Sequence, residues 1–114
     1  MNDLDEIFQN QQLELRRGTL VLAILSVLNS SKHYGYSLLK ELGELAFPIE
    51  SSTLYPLLRR LEKQKVLESE WDTTDARPRK YYRLTIDGAE LYQKLLSEWV
   101  TMTQKLSHIT KEKK

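Results

Sequence analysis

Within residues 13–28, apolar side chains fall at positions 21, 24, 25 and 28, the spacing of one helical face. Leu4, Ile7 and Phe8 add an i, i+3, i+4 patch upstream, so the segment reads as one long helix or as two pieces meeting near Gly18. Asn29, Ser30 and Ser31 close it, because their side chains compete for backbone hydrogen bonds. A second helix is expected over about residues 35–46, burying Leu38, Leu39, Leu42 and Leu45; Pro48 disfavours helical geometry at Phe47 and stops it. Ser51 and Ser52 are N-cap candidates for a third helix over about residues 52–65. Pro56 fits that helix only in the first turn or at its edge, where few backbone donors have intrahelical partners.

The period then changes from 3.6 to 2. Residues 66–72 read as a strand with Leu67 and Trp71 on one face, and residues 80–84 as a second with Tyr82 and Leu84 inward. Between them lies a polar, proline-containing hairpin tip. Thr85 can cap a last helix over about residues 86–110, with Asp87 in its first turn favourable to the helix dipole. Three helices, a hairpin and a helix make a mainly α fold with a small β-hairpin, in the order of a winged helix-turn-helix. We divide the chain at 85: residues 1–85 form the winged unit with its N-terminal helix, and residues 86–114 a long C-terminal helix suited to dimerisation, the two forming one structural unit.

At 100° per residue, Leu54, Leu57, Leu58 and Leu61 form the inward face of the third helix. Opposite stand Ser52, Pro56, Arg59 and Lys63, flanked by Tyr55 and Arg60. Hydroxyls and arginine can address base edges or phosphates in a major groove, and lysine can neutralise backbone charge. An ordinary amphipathic surface helix would carry a similar polar face. Charge sorting adds to the picture. The chain's formal net charge is only +1, yet residues 1–14 hold Asp3, Asp5, Glu6 and Glu14 with no base, whereas residues 76–83 hold Arg77, Arg79, Lys80 and Arg83 with no acid. Such sorting presents one basic surface on a near-neutral molecule.

The bulk numbers mostly exclude. With 114 residues and 40% hydrophobic content the chain has the size of one domain. A domain this small leaves much surface exposed, which oligomerisation commonly covers. Cysteine is absent, so there are no disulfides or thiolate metal sites, and a reducing cytoplasm is the expected setting. The longest apolar run, residues 20–25, is too short to cross a bilayer and lies too far inside a charged segment to be a secretory signal. No glycine-rich phosphate loop, HExxH or GxSxG pattern occurs, and His33 and His108 lie on different elements. Neither an enzyme, a metal site nor a cofactor is therefore expected. The alternative to DNA binding is a winged-helix module that binds protein only.

The stretches HYGYSLLKEL (33–42), SSTLYPLLRRLEKQKVLES (51–69), RKYYRLT (79–85) and LSEW (96–99) resemble the PadR family of transcriptional regulators. The likeness runs in order over roughly residues 14–106, and the chain length is similar to that of the short subfamily with one C-terminal dimerisation helix. It implies a winged-helix repressor binding a palindromic operator as a homodimer, its third helix in the major groove and its wing on the backbone or minor groove. Carried over by position, Ser51, Ser52, Thr53, Tyr55, Pro56, Arg59 and Lys63 read DNA, Tyr34 and Tyr36 open the supporting helix, and Arg77, Arg79 and Lys80 form the wing. Tyr34 and Tyr36 could equally be core aromatics with a hydroxyl at the surface, the reading we favour for Tyr36.

In the last helix Tyr92, Leu95, Trp99, Met102, Leu106 and Ile109 are spaced 3, 4, 3, 4, 3, a heptad seam that either packs only within the monomer or, because the winged core ahead of it is already complete, forms a dimer interface. Leu91, Leu96 and Val100 lie beside it and could face the domain's own core. Trp99 is either a packing anchor in that seam or, as in the PadR-like multidrug regulators it resembles, one wall of a pore between subunits that sandwiches flat aromatic compounds. That resemblance places Arg17, Leu20, Val21, Leu95 and Thr103 around the pore. Arg17 departs from it, because a cation there repels cationic drugs.

Overall fold

The computed structural model describes residues 3–112. The first helix, α1 (Asp3–Ser30), is continuous, and Gly18 does not break it. Its C-terminal half puts Ile24, Leu25 and Leu28 into the core. Strand β1 (His33–Tyr34) leads directly into α2 (Gly35–Glu44), followed by α3 (Ser51–Lys63), β2 (Leu67–Asp72), β3 (Arg79–Leu84) and α4 (Ile86–Glu112). The sheet therefore has three antiparallel strands in the order β1-β3-β2, with Tyr34 opposite Tyr81 and Leu67 opposite Leu84. The sequence led us to expect only the hairpin. A two-residue strand carries no period to read, and its pairing exists only because β3 runs past it.

α2 and α3 end in the same way, which corrects two expectations. After α2, the N–H of Ala46 donates to the Gly43 carbonyl (3.1 Å) and that of Phe47 to Leu42 (2.8 Å); after α3, Lys65 donates to Glu62 (3.0 Å) and Val66 to Leu61 (2.9 Å). These paired bonds form a Schellman motif, which needs a left-handed residue, and Ala46 (φ 63°) and Lys65 (φ 65°) supply it without being glycine. Because α2 closes at Glu44, Leu45 turns outward and is exposed, not buried as expected. At the other end of α3 the N-cap is Glu50, without a side-chain cap, and not Ser51 or Ser52. Pro56 thus lies beyond the first turn, and its missing N–H leaves the Ser52 carbonyl without its helical donor.

The core is aliphatic. Leu38 and Leu42 of α2, Leu54, Leu57, Leu58 and Leu61 of α3, Leu67 of β2 and Tyr82 of β3 close on the α1 residues. Leu84, Leu91, Tyr92 and Leu95 pack against its edge. Trp71, expected inward with Leu67, shares that face of β2 but extends past the core and is 64% exposed. α4 is fastened at its start. The Gly88 N–H donates to the Thr85 hydroxyl (2.9 Å), which itself donates to the Lys65 carbonyl (2.7 Å), and the Ala89 N–H donates to the Thr85 carbonyl (2.9 Å). Gly88 sits so close to the Val66 carbonyl that a Cβ there would overlap it. Thr85 is the cap the sequence announced, and the bond to Lys65 ties that cap to the turn after α3.

Candidate nucleic-acid interface

The outward face of α3 follows from the inward one. With four leucines buried at 54, 57, 58 and 61, helical geometry leaves Ser51, Ser52, Thr53, Pro56, Arg59, Arg60 and Lys63 exposed. Arg59, Arg60 and Lys63 form no ion pair with any described residue. At the helix start, the Ser52 hydroxyl donates to the Glu50 carboxylate at 3.5 Å. Tyr55 departs from the expected solvent-facing position. It is half-buried, with its ring against the Cα of Gly35, where any side chain at 35 would overlap it. The glycine of the HYGYS stretch is there to admit this ring, which locks the start of α2 to α3.

The wing sorts its cations by strand alternation. On one face of β3, Lys80 reaches α3 and donates to Glu62 (3.1 Å), which also accepts from the Ser69 hydroxyl. The Ser69 and Lys80 hydrogen bonds hold the Glu62 carboxyl below the usual range, and the same carboxylate raises the Lys80 ammonium. On the other face, Arg83 donates to Glu68 (3.1 Å) and Glu70 (2.7 Å), and Lys32 adds a contact to Glu70 (3.5 Å). Arg79 lies over the Tyr34 ring (4.7 Å), which meets Tyr81 edge-on (5.4 Å). Asp72 accepts from the N–H (3.0 Å) and hydroxyl (2.7 Å) of Thr74 and opens the wing tip; these bonds also depress its pKa. Arg77, at that tip, is exposed and makes no ion pair with a described residue.

Between α3, the start of α2 and the wing lies a cleft of about 500 Å³. Tyr34, Tyr36, Tyr55 and Trp71 line it together with Arg77, Arg79 and Lys80, and no described carboxylate does. Within this cleft the structure brings Tyr34, Tyr36 and Tyr55 together with Arg77, Arg79 and Lys80 of the wing; of the α3 residues assigned to DNA only Tyr55 lines it, and Thr53 lines a separate cleft beside Arg17 and Leu20. Tyr36, for which we favoured a core position, is 63% exposed. Trp71 was read as core and not as a site residue; the signal that could have placed it is its position next to the polar tip, past the last residue α3 can cover. At the start of α2, His33 Nδ1 lies 3.1 Å from the Ser37 hydroxyl, which donates to the Tyr34 carbonyl (2.9 Å), so that nitrogen is the donor.

Of the residues assigned to a pore, Arg17 and Leu20 share a cleft within one chain, and Val21, Leu95, Trp99 and Thr103 do not line it. Arg17 and Leu20 line a cleft of about 550 Å³ with Phe47, Ile49 and the start of α3, and Arg17 pairs with Glu14 (2.7 Å). Val21 and Leu95 pack on the core, and Thr103 donates to the Val100 carbonyl (2.8 Å) on α4. The seam itself divides. Tyr92 and Leu95 close the chain's own core, whereas Trp99 (44%), Met102, Leu106 and Ile109 are exposed. Of the three residues beside it, Leu91 does face the core, Leu96 is half-buried and Val100 is exposed.

Residues 24–94 match the sequence profile of the Transcriptional regulator PadR-like family. The chain belongs to that family. It is 44% identical to a PadR family transcriptional regulator from Eggerthella lenta, whose crystal structure superposes with a TM-score of 0.88 over 93% of this chain and 94% of that one. It is also similar to the transcriptional regulator Rv3488 of Mycobacterium tuberculosis, 36% identical over 75 residues that cover 66% of this chain and 70% of the relative. The fold is shared with Bacillus subtilis PadR, solved in complex with operator DNA (24% identity, TM-score 0.64, 68% of this chain and 45% of that one).

As a PadR-like protein the chain is a transcriptional regulator and not an enzyme. The described residues hold no group of three or more histidine or carboxylate side chains placed to bind a metal ion. None of their helices is long and apolar enough to cross a membrane.

Proposed function

We propose that this PadR-like regulator is a repressor that binds a palindromic operator as a homodimer, with α3 in the major groove and the wing on the DNA backbone. The cleft between α3 and the wing carries this reading: cations and aromatic rings line it and no described carboxylate does, while Arg59 and Arg60 on α3 and Arg77 at the wing tip stand exposed without an ion pair to a described residue. Phosphate oxygens and base edges are what such groups bind. Dimerisation is supported by the exposed stripe Trp99, Met102, Leu106 and Ile109, which the chain's own core leaves uncovered. Two-fold symmetry would then present two reading helices to two half-sites.

Genome-wide immunoprecipitation sequencing identifies the operator. Titration with that duplex at rising salt then tests the reading, because each phosphate contact steepens the salt dependence of log K by about 0.9. Binding without salt dependence, or no binding at all, leaves the protein-only module instead. Sedimentation of Met102→Asp and Leu106→Asp tests the dimer; a folded dimer in both would remove α4 from the interface. If a planar aromatic effector releases the DNA, Trp99 is its reporter. In a Trp71→Phe background only Trp99 emits, and an unchanged emission at saturating dye would leave Trp99 as a packing anchor alone.

A further inference from the structure

The cleft of about 500 Å³ between the wing and the start of α2 has a rim and a floor of different character. At the rim stand the exposed rings of Tyr36 and Trp71, with Arg77 at the wing tip. At the floor lie Tyr55, half-buried against Gly35, and Tyr82, which belongs to the core. A DNA backbone laid across α3 and the wing would touch the rim and leave the floor empty, since of the α3 residues assigned to DNA only Tyr55 reaches the cleft. The hydroxyls of Tyr34, Tyr36 and Tyr55 are hydrogen-bonded to no described residue. The cations are engaged unequally. Lys80 is held by Glu62 (3.1 Å), whereas Arg77 has no ion pair with a described residue and Arg79 lies on the Tyr34 ring (4.7 Å). Stacking of this kind leaves a guanidinium its charge and its N–H edge. Asp72, the carboxylate across the ladder from Arg79, is turned to the N–H and hydroxyl of Thr74.

We propose that this cleft binds a free purine nucleoside diphosphate, with the base among the rings and the phosphates on Arg77 and Arg79. Its volume falls within the roughly 300–1,000 Å³ of small-molecule sites. Every nucleobase has a π-face that stacks on tyrosine or tryptophan, and a purine covers more ring surface than a pyrimidine. Two guanidinium groups match two phosphates as bidentate donors, and the tyrosine hydroxyls remain for the base edge and the ribose. A free nucleotide can reach the floor, whereas a base paired and stacked inside a duplex must first be extruded. Nucleotide and operator would then need the same two arginines, so the nucleotide releases DNA by direct competition, with no movement of α4. That competition rests on the DNA-binding reading above; the site itself does not.

Calorimetry and fluorescence of the full chain with ADP and with GDP, in the absence of DNA, test the site. Either nucleotide should release or absorb heat and change the emission of Trp71. Adenosine and inorganic pyrophosphate, each carrying one part of the ligand, should bind at least about tenfold more weakly. Arg77→Ala and Arg79→Ala should each lower nucleotide affinity about tenfold, and Trp71→Phe should remove the emission change while Trp99 still emits. Neither heat nor an emission change at millimolar nucleotide overturns the site. So does pyrophosphate binding as tightly as ADP, which would mark an unspecific anion contact. In a second arm, saturating nucleotide at constant ionic strength should weaken operator binding at least about tenfold. Nucleotide binding with unchanged operator affinity overturns the shared arginines. A chain that binds no duplex removes the DNA reading and the competition with it, while the calorimetric arm still decides the site.

Discussion

On α3, Arg59, Arg60 and Lys63 stand exposed with no ion pair to a described residue; on the wing, Lys80 is held by Glu62, Arg83 by Glu68 and Glu70, and Arg79 by the Tyr34 ring. The two regions carry similar numbers of basic side chains but differ in what is free to meet another molecule. On the helix, four buried leucines do the structural work and leave the cations unoccupied. On the wing, a thin two-sided hairpin has no such core, and its cations brace the strands against α3 and against each other. Local charge therefore measures binding capacity on the helix and overstates it on the wing. Of the four basic residues in 76–83, Arg77 is wholly available and Arg79 is available while stacked.

The largest effect expected from this contrast is on α3. Arg59→Ala should weaken operator binding roughly ten- to a hundredfold, the ~1–3 kcal/mol of a good base contact, with unchanged thermal stability. Wild-type affinity would mean that this face does not enter the groove. Next comes the wing tip. Arg77→Ala should weaken specific and random DNA alike and lower the salt slope by about 0.9, the change expected when one phosphate is no longer neutralised. An unchanged slope would place Arg77 away from DNA.

Lys80→Ala should do the opposite of Arg77→Ala, leaving the salt slope intact and costing a few tenths to about 1 kcal/mol of folding stability, because the pair with Glu62 is partly exposed. Its pH dependence has a definite sign. Glu62 has a lowered pKa, so its contribution is full above the ordinary glutamate value of about 4.3 and is lost as pH falls through the lowered one. Lys80 has a raised pKa, so its part is full below about 10.4 and is lost as pH rises through the raised one. The stability gap between wild type and Lys80→Ala should thus be flat at neutral pH and shrink at either extreme. A reduced salt slope would move Lys80 from brace to DNA contact.

The smallest effect concerns the joint between the two regions. Lys65→Gly should raise stability by up to about 1 kcal/mol, since glycine adopts the left-handed geometry without the Cβ penalty, and should leave DNA affinity unchanged. Denaturant unfolding measures it, and a destabilised variant would show that the lysine side chain does more than occupy the turn.

These contrasts also mark where the sequence was readable. The helices, the hairpin and the split of α3 into a leucine face and a polar face follow from periodicity, which local spacing alone determines. The partners of Lys80 and Arg83 do not, because they depend on strand register and on how α3 lies across the sheet. Leu45 and Trp71 are apolar residues in phase with buried neighbours, yet one lies past the helix end and the other past the edge of the core. Periodicity shows which way a side chain points, not whether anything is there to cover it. Tyr55 illustrates the converse: its phase suggested solvent, and only the missing side chain of Gly35 lets it turn in.

The Thr85 joint fixes how α4 leaves the turn after α3. Swinging α4 relative to α3 would break the hydroxyl bonds to Lys65 and Gly88 and press the Gly88 backbone into the Val66 carbonyl. In the homodimer we propose, this fixes the angle between the two-fold axis and each reading helix, so the molecule acts as a ruler as well as a reader. Substitutions on the outer face of α3 could retune base preference while half-site spacing, near one helical turn or about 34 Å for such dimers, stays constant. Changing the spacing would instead require a shift along the α4 seam. Operator sequence and operator length would thus evolve through separate parts of the same short chain.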